Sequence, residues 1–320
     1  MTQAPTPTAD TVRRLVSSLL KEGTKGGAGA GGLEVRPVVE GGEHSTWWVG
    51  GRHVLRLAPD REAALRQRRE LRLRDLVRPQ LPLAVPTSVA HGEWAPGLTY
   101  TLDIVVPGGT AEEHDVSAVG EADLAGLLTG LREVPARQAE ALGAPRTAPR
   151  SLEALRKAAE RAAGRLAAAD EFDPARLHQL SSPAAVQLAA QPGTAVLVHH
   201  DLRGEHLVVS ADGRVRGVLD WTGAAVGDPA EDIAGLAIAV GSPAAVRAAT
   251  LAGYAARPCL RGLWLARCDT VIRLAGHLDN RSDRDKGALP LLRLQLRRAW
   301  EAILLERVTE LREDDPDEEP

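Results

Sequence analysis

The chain has 320 residues, with 39 basic and 43 acidic side chains and a formal net charge of −4. It has no basic surplus to offer a nucleic acid. Apolar residues make up 44% of it, enough for a sizeable core in one large bilobal domain or two modest ones. Cys259 and Cys268, the two cysteines, form neither a spaced metal motif nor a disulfide framework, which predicts a reduced, cytoplasmic setting. The polar start MTQAPTPTAD does not read as a signal peptide, and no apolar run approaches the length of a membrane span. No membrane or nucleic-acid partner is expected, and the chain is read as a monomer or homodimer.

Thr8 to Gly23 carries apolar residues at helical spacing and reads as a first helix. The glycines from Gly26 to Gly32 read as a linker, because no helix follows them directly. LEVRPVVE, STWWVGG and RHVLRLA then predict a three-stranded antiparallel meander, and PDREAALRQRRELRLRDLV a charged helix ending near Pro79. Two more strands follow around the turn at APG. Residues 1–106 are therefore expected to be a small, sheet-rich lobe with one prominent helix.

Beyond Pro107-Gly108-Gly109 the pattern is mainly helical up to 311: Asp123–Leu131, Ser151–Ala169, Asp228–Val240, Ala255–Leu278 with an early interruption at Pro258, and Leu289–Leu311. Residues 312–320 form an acidic tail expected to be disordered. The fold class is thus α+β. One strand-rich island interrupts the helices: strands at Ala195–Val198, His206–Val209 and Val215–Leu219, the last two joined by an Asp-Gly hairpin. The island brings Asp201, His206 and Asp220 toward one edge of a small hairpin sheet. Each alone has an ordinary role in a turn or cap. Their conjunction on strands held by a tight turn points to chemistry.

HHDLRGEH, GVLDW and GDPAEDIAGL, in that order, resemble the motifs of the aminoglycoside phosphotransferases, small-molecule relatives of protein kinases. The order of lobes resembles theirs over nearly the whole chain. The resemblance implies a bilobal protein-kinase-like fold with an antiparallel-sheet nucleotide-binding lobe and a helical lobe holding the catalytic loop and acceptor site. It implies transfer of the γ-phosphate of ATP or GTP, with Mg²⁺, to a hydroxyl of a small molecule such as an aminoglycoside or macrolide. Phosphoryl transfer rests on positioning and charge stabilisation. Asp201 matches the aspartate that accepts the hydroxyl proton, and Asp220 the metal-binding aspartate. Arg203 stands where kinases carry a lysine facing the γ-phosphate, and an outward-facing role is its alternative. His199 matches a structural brace. His206 departs from the usual Asn at the second metal position. Imidazole is a softer donor than Mg²⁺ prefers, yet histidine there, and the Trp-Thr after Asp220, resemble macrolide phosphotransferases.

In the first lobe, Gly41, Gly42 and Ser45 lie at the turn of a hairpin expected over the nucleotide. Arg56 matches the third-strand Lys or Arg. Glu70 is its candidate partner, with Glu62 as competitor. Backbone between Ile104 and Val106 is expected to meet the nucleotide base. Asp228 and Asp232 read as structural, Asp228 as a helix cap. For a polycationic acceptor the candidate carboxylates are Asp170, Glu171 and Asp173, or Asp279, Asp283 and Asp285, or Glu301. For a macrolide they are replaced by an apolar groove at Trp264, Leu265 and Ile272, residues that equally suit core packing. Two other functions stay open: a metabolite kinase of the same fold for choline, a sugar amine or homoserine, and a pseudokinase-like binding protein, suggested by His206 and Arg56.

Overall fold

The computed structural model describes residues 7–23, 34–38, 45–191, 193–279 and 288–303. Gly41, Gly42, the 26–32 glycines, Asp283, Asp285 and the acidic tail lie outside them. After α1 (Ala9–Gly23), β1 (Val35–Pro37), β2 (Ser45–Val49) and β3 (His53–Leu57) form the expected antiparallel meander. β4 (Ser88–Ala95) and β5 (Leu98–Ile104) complete a five-stranded sheet in the order β1-β2-β3-β5-β4. Alternation explains β3: Leu55 and Leu57 enter a core with Trp47, Tyr100, Leu102 and, from α1, Val12 and Val16. Arg56, between them, takes the other face. Between β3 and β4 runs α2 (Arg61–Val77), started by Asp60, whose carboxylate accepts the Ala63 N–H at 2.8 Å.

The chain then forms β6 (Gly109–Thr110), α3 (Ala118–Glu133), α4 (Ala136–Ala141), α5 (Leu152–Ala168) and α6 (Ser182–Gln187). Next come β7 (Val196–Val198), β8 (Leu207–Val209), β9 (Val215–Val218) and β10 (Ala225–Gly227). α7 (Ala230–Val240), α8 (Ser242–Leu251), α9 (Ala256–Asp279) and α10 (Ala288–Ala299) follow. Gly108 has φ +146°, and a Cβ there would stand 2.6 Å from Val208 Cγ1 and 2.8 Å from the Val209 carbonyl oxygen. Only glycine lets the chain cross here and lay β6 against β8.

Five expectations are corrected. β7 pairs with β10 instead of joining the β8–β9 hairpin, and the third neighbour of that hairpin is β6. The strand expected from His206 begins at Leu207, because Gly204–His206 form a helical turn. Pro258 does not interrupt α9: it lies in the first turn, where backbone N–H groups have no helical acceptor to lose. α10 ends at Ala299 instead of continuing through residues 300–303. Trp264 and Leu265 are buried, and Trp264 meets Trp300 edge-on at 5.8 Å, so this stretch of α9 builds core instead of a groove.

Candidate active site

The loop from His199 to His206 hangs between β7 and β8 and is braced from α7. Asp232, in the first turn of α7, accepts the backbone N–H groups of His199 at 2.8 Å and His200 at 2.7 Å. Burial pushes its carboxyl up to about 7, against the pull of those two bonds. His199 is fully buried, with Nε2 3.0 Å from the Leu219 carbonyl and its ring edge-on to Trp221 at 4.7 Å. Burial, aided by neighbouring His206, holds this imidazole down to about 4, so at neutral pH it is an uncharged brace. His200 takes the left-handed conformation, φ +66°, as does Asp220 at φ +56°. Strain of this kind persists only where surrounding bonds over-determine it.

Asp201 follows. Arg203 Nε approaches the Asp201 Oδ1 at 2.6 Å, and Arg203 Nη1 lies 3.5 Å from Glu205 Oε1. Arg203 thus turns toward the loop's own carboxylate, an arrangement that neither expected role for it contained. His206 Nδ1 lies 2.8 Å from the Asp201 carbonyl oxygen. Donation there leaves Nε2 with a free lone pair, 3.9 Å from Asp220 Oδ2. Nitrogen and carboxylate face each other at a separation that one cation can bridge. Among the described residues no cluster of three or more His, Cys, Asp and Glu forms a closed metal cage. Two protein ligands with open positions fit Mg²⁺, which retains waters and takes phosphate oxygens.

Asp220 is held from the other side. Its Oδ1 accepts from the Thr222 hydroxyl at 2.5 Å and backbone N–H at 3.3 Å, and Arg56 Nη2 stands 3.7 Å away. Burial works to raise this carboxyl, but Arg56, Thr222 and His206 outweigh it and hold it well below the usual carboxylate range. Arg56 Nη1 bonds Glu70 at 2.8 and 3.0 Å. Glu62 pairs instead with Arg66 on the outer face of α2. Glu70 also bonds Arg74, and Arg74 Nη1 reaches Asp103 at 3.1 Å, forming a buried chain of alternating charge. Burial opposes ionisation of Glu70, and the two guanidiniums override it. Glu70 further accepts the Trp221 backbone N–H at 3.3 Å, and Arg69 donates to the Thr222 carbonyl at 2.6 Å. α2 therefore grips the turn that carries Asp220.

Ser45 accepts from the Trp47 indole at 2.9 Å and so is engaged at the start of β2. The Ile104 N–H donates to the Thr87 carbonyl and that of Val105 to the Arg52 carbonyl. Among the described residues nothing takes the Val106 N–H, so of the three positions expected to meet a base only that one has an uncommitted backbone donor there.

Beside Asp201 opens a cavity of about 350 Å³. None of the expected carboxylates that lie among the described residues lines it. Asp170, Glu171 and Asp173 line a different cavity, where Glu171 pairs with Arg293. Asp279 pairs with Arg165 at 3.0 Å, and Glu301 approaches Gly241. The carboxylates at the Asp201 cavity are Glu231 and Asp269, and Arg150 bonds both, at 2.6–2.9 Å. Arg150, Asp269 and Arg273 escaped sequence reading because Arg150 and Asp269 are 119 positions apart and belong to no motif. Glu231 lies inside GDPAEDIAGL, next to the residue that braces the loop, and that position was the available signal.

The model of the APH phosphotransferase enzyme family matches residues 34–263. Viomycin phosphotransferase of Streptomyces vinaceus is 40% identical over 65 residues, which is 19% of this chain and 23% of the relative. The uncharacterised protein YcbJ of Bacillus subtilis is 51% identical over 41 residues, 13% of either chain. The chain thus matches less than a quarter of each curated relative. The GDP complex of wild-type aminoglycoside 2'-phosphotransferase-IIIa superposes with TM-score 0.62 at 18% identity, over 90% of this chain and 98% of that one. Macrolide 2'-phosphotransferase MphH from Brachybacterium faecium gives 0.58 at 23%, over 87% and 97%. At such identities the likeness establishes the fold, and it is the α+β kinase-like fold expected.

Proposed function

This chain belongs to the APH phosphotransferase enzyme family, and from that premise we propose that it transfers the γ-phosphate of ATP or GTP to a hydroxyl of a small molecule in the cytoplasm. The observation that carries the reading is the convergence of Asp201, His206 and Asp220 around one gap, with Asp220 tied to Arg56. Residues 1–106 serve the nucleotide and residues 107–311 the acceptor. Asp201, at the cavity, accepts the hydroxyl proton as the oxygen attacks, and the phosphate–oxygen bond to the nucleotide breaks. Arg203 orients Asp201 and is near enough to answer phosphate charge. Arg56 positions phosphates, with Glu70 fixing its rotamer, and Val106 offers its N–H to the base. Gly41, Gly42 and Ser45 form the cover. Asp220 and His206 would hold Mg²⁺, which offsets charge on the phosphate oxygens.

The names of the relatives suggest a hydroxylated antibiotic as acceptor. A second reading, a metabolite kinase of the same fold, is favoured by one observation: Arg150 already occupies the cavity's spare carboxylates. The test is phosphotransfer with Mg²⁺ and ATP or GTP against aminoglycosides, macrolides, viomycin and amino alcohols. Asp201→Ala is expected to lower turnover about 10²–10⁴-fold while nucleotide binding, read by thermal shift, persists. Turnover indifferent to Asp201→Ala sinks the catalytic assignment. Nucleotide binding without transfer to any acceptor favours the binding-protein alternative.

A further inference from the structure

The cavity beside Asp201 carries three carboxylates, Asp201, Glu231 and Asp269, and three guanidiniums, Arg150, Arg203 and Arg273. Their formal charges cancel, but their engagements do not. Arg150 is bonded to both Glu231 and Asp269. Arg203 is bonded to Asp201. Arg273, on α9, makes no hydrogen bond or ion pair among the described residues, although it lines the same cavity. Its electrostatic neighbours are the like-charged Arg203 and the carboxylates of Asp269, Asp201 and Glu205. A further cation entering here meets no spare carboxylate except Asp201, which the hydroxyl needs. An anion meets a guanidinium whose donors have no partner among the described residues. The remaining wall is His200, Leu202, Ala234, Gly235 and Ile238; apart from the His200 imidazole it offers apolar contact or bare backbone.

We propose that Arg273 is a specificity residue that binds an acidic group of the acceptor, so that the substrate class is a hydroxy acid: an alcohol carrying a carboxylate or similar anion. The inference rests on the phosphotransferase reading for the fate of the hydroxyl. It does not rest on it for binding. The guanidinium fork suits a carboxylate in bidentate geometry. The acid would sit on the α9 side of the cavity, with the hydroxyl toward Asp201 and the carbon skeleton along α7. A polycationic acceptor is disfavoured by the same arrangement, since like charges meet at close range.

The experiment uses the full chain and matched probes: ω-hydroxy carboxylic acids of graded length, their amides, and the corresponding amino alcohols. Binding is read by thermal shift and calorimetry in the presence of a non-hydrolysable nucleotide analogue. Transfer is read with ATP or GTP. The acid is expected to bind about tenfold or more tightly than its amide. Arg273→Gln should collapse that ratio toward one and raise KM for the acid more than it lowers kcat. Arg273→Lys should recover part of the preference. Arg273 is exposed on its helix, and melting curves are the check that both variants fold. Preference for amides or amino alcohols, or an acid preference untouched by Arg273→Gln, overturns the proposal. Arg273-dependent acid binding without transfer to any probe leaves the inference standing and sinks the phosphotransferase reading instead.

Discussion

Two charged clusters flank Asp201 and Asp220, and they differ in whether their arginines are committed. Around Asp220, Arg56, Glu70, Arg74 and Asp103 form a buried chain in which each guanidinium has a carboxylate partner. Around Asp201, the arginines of the cavity are more exposed, and Arg273 is unpartnered among the described residues. Full pairing in a low-dielectric setting fixes geometry, since removing one partner strands another charge. An open guanidinium at a cavity leaves one interaction for a ligand to complete. On the proposals above, the first cluster would position and the second would select.

The contrast can be broken most directly at Glu70. Glu70→Ala leaves Arg56 and Arg74 facing each other with one carboxylate fewer, and is expected to cost about 3–5 kcal/mol. Chemical denaturation checks this, and a loss below about 1 kcal/mol would mean that the chain of pairs is not cooperative. Nucleotide affinity should fall with it, because Arg56 loses its rotamer.

A smaller effect is expected from pH. The Asp232 carboxyl has an ordinary value of 3.8 and is raised to about 7 in the fold. Between those values the folded chain binds a proton that the unfolded chain releases. Stability contributed by this group is therefore full below the lower value and is lost as pH rises through the upper one. The melting difference between the wild type and Asp232→Asn should accordingly favour the wild type more at about pH 5 than at about pH 8. A difference that is flat across that window would place the carboxyl near its ordinary value.

The smallest effect sharpens the selecting side. Arg150 is about a third exposed at 37%, so Arg150→Ala should cost only about 1 kcal/mol. It frees Glu231 and Asp269, however, and should shift acceptor preference from acids toward amines. An unchanged acceptor profile would show that charge balance in the cavity does not set selectivity.

Local chemistry decided what was legible in the sequence. β2, β3 and β5 announce themselves by β-branched and aromatic runs, α2 by its charge pattern, and the β8–β9 turn by Asp-Gly. Asp201, His206 and Asp220 lie within twenty residues, on segments a tight turn must bring together. Arg56 and Glu70 follow from a strand-to-helix step of fourteen positions. β10 was hidden because three residues, AVG, carry no periodicity. β6 was hidden because its pairing depends on the left-handed Gly108. The Arg150–Glu231–Asp269 group is assembled from segments far apart in the chain. Its members look, one by one, like solvated charges. Among the described residues, the carboxylates expected to hold a cation lie away from the Asp201 cavity: clustering in sequence is not convergence in space.

The grip of α2 on the Asp220 turn has a mechanical consequence. Glu70 holds the Trp221 N–H, and Arg69, the residue beside it, holds the Thr222 carbonyl. A single tether is a pivot, and two on adjacent residues resist twist. Any rotation of the five-stranded sheet that carries α2 with it would transmit torque to Asp220 instead of slipping past it. Displacing the sheet and displacing the Asp220 carboxylate would then be one motion, and reversing it would restore both together.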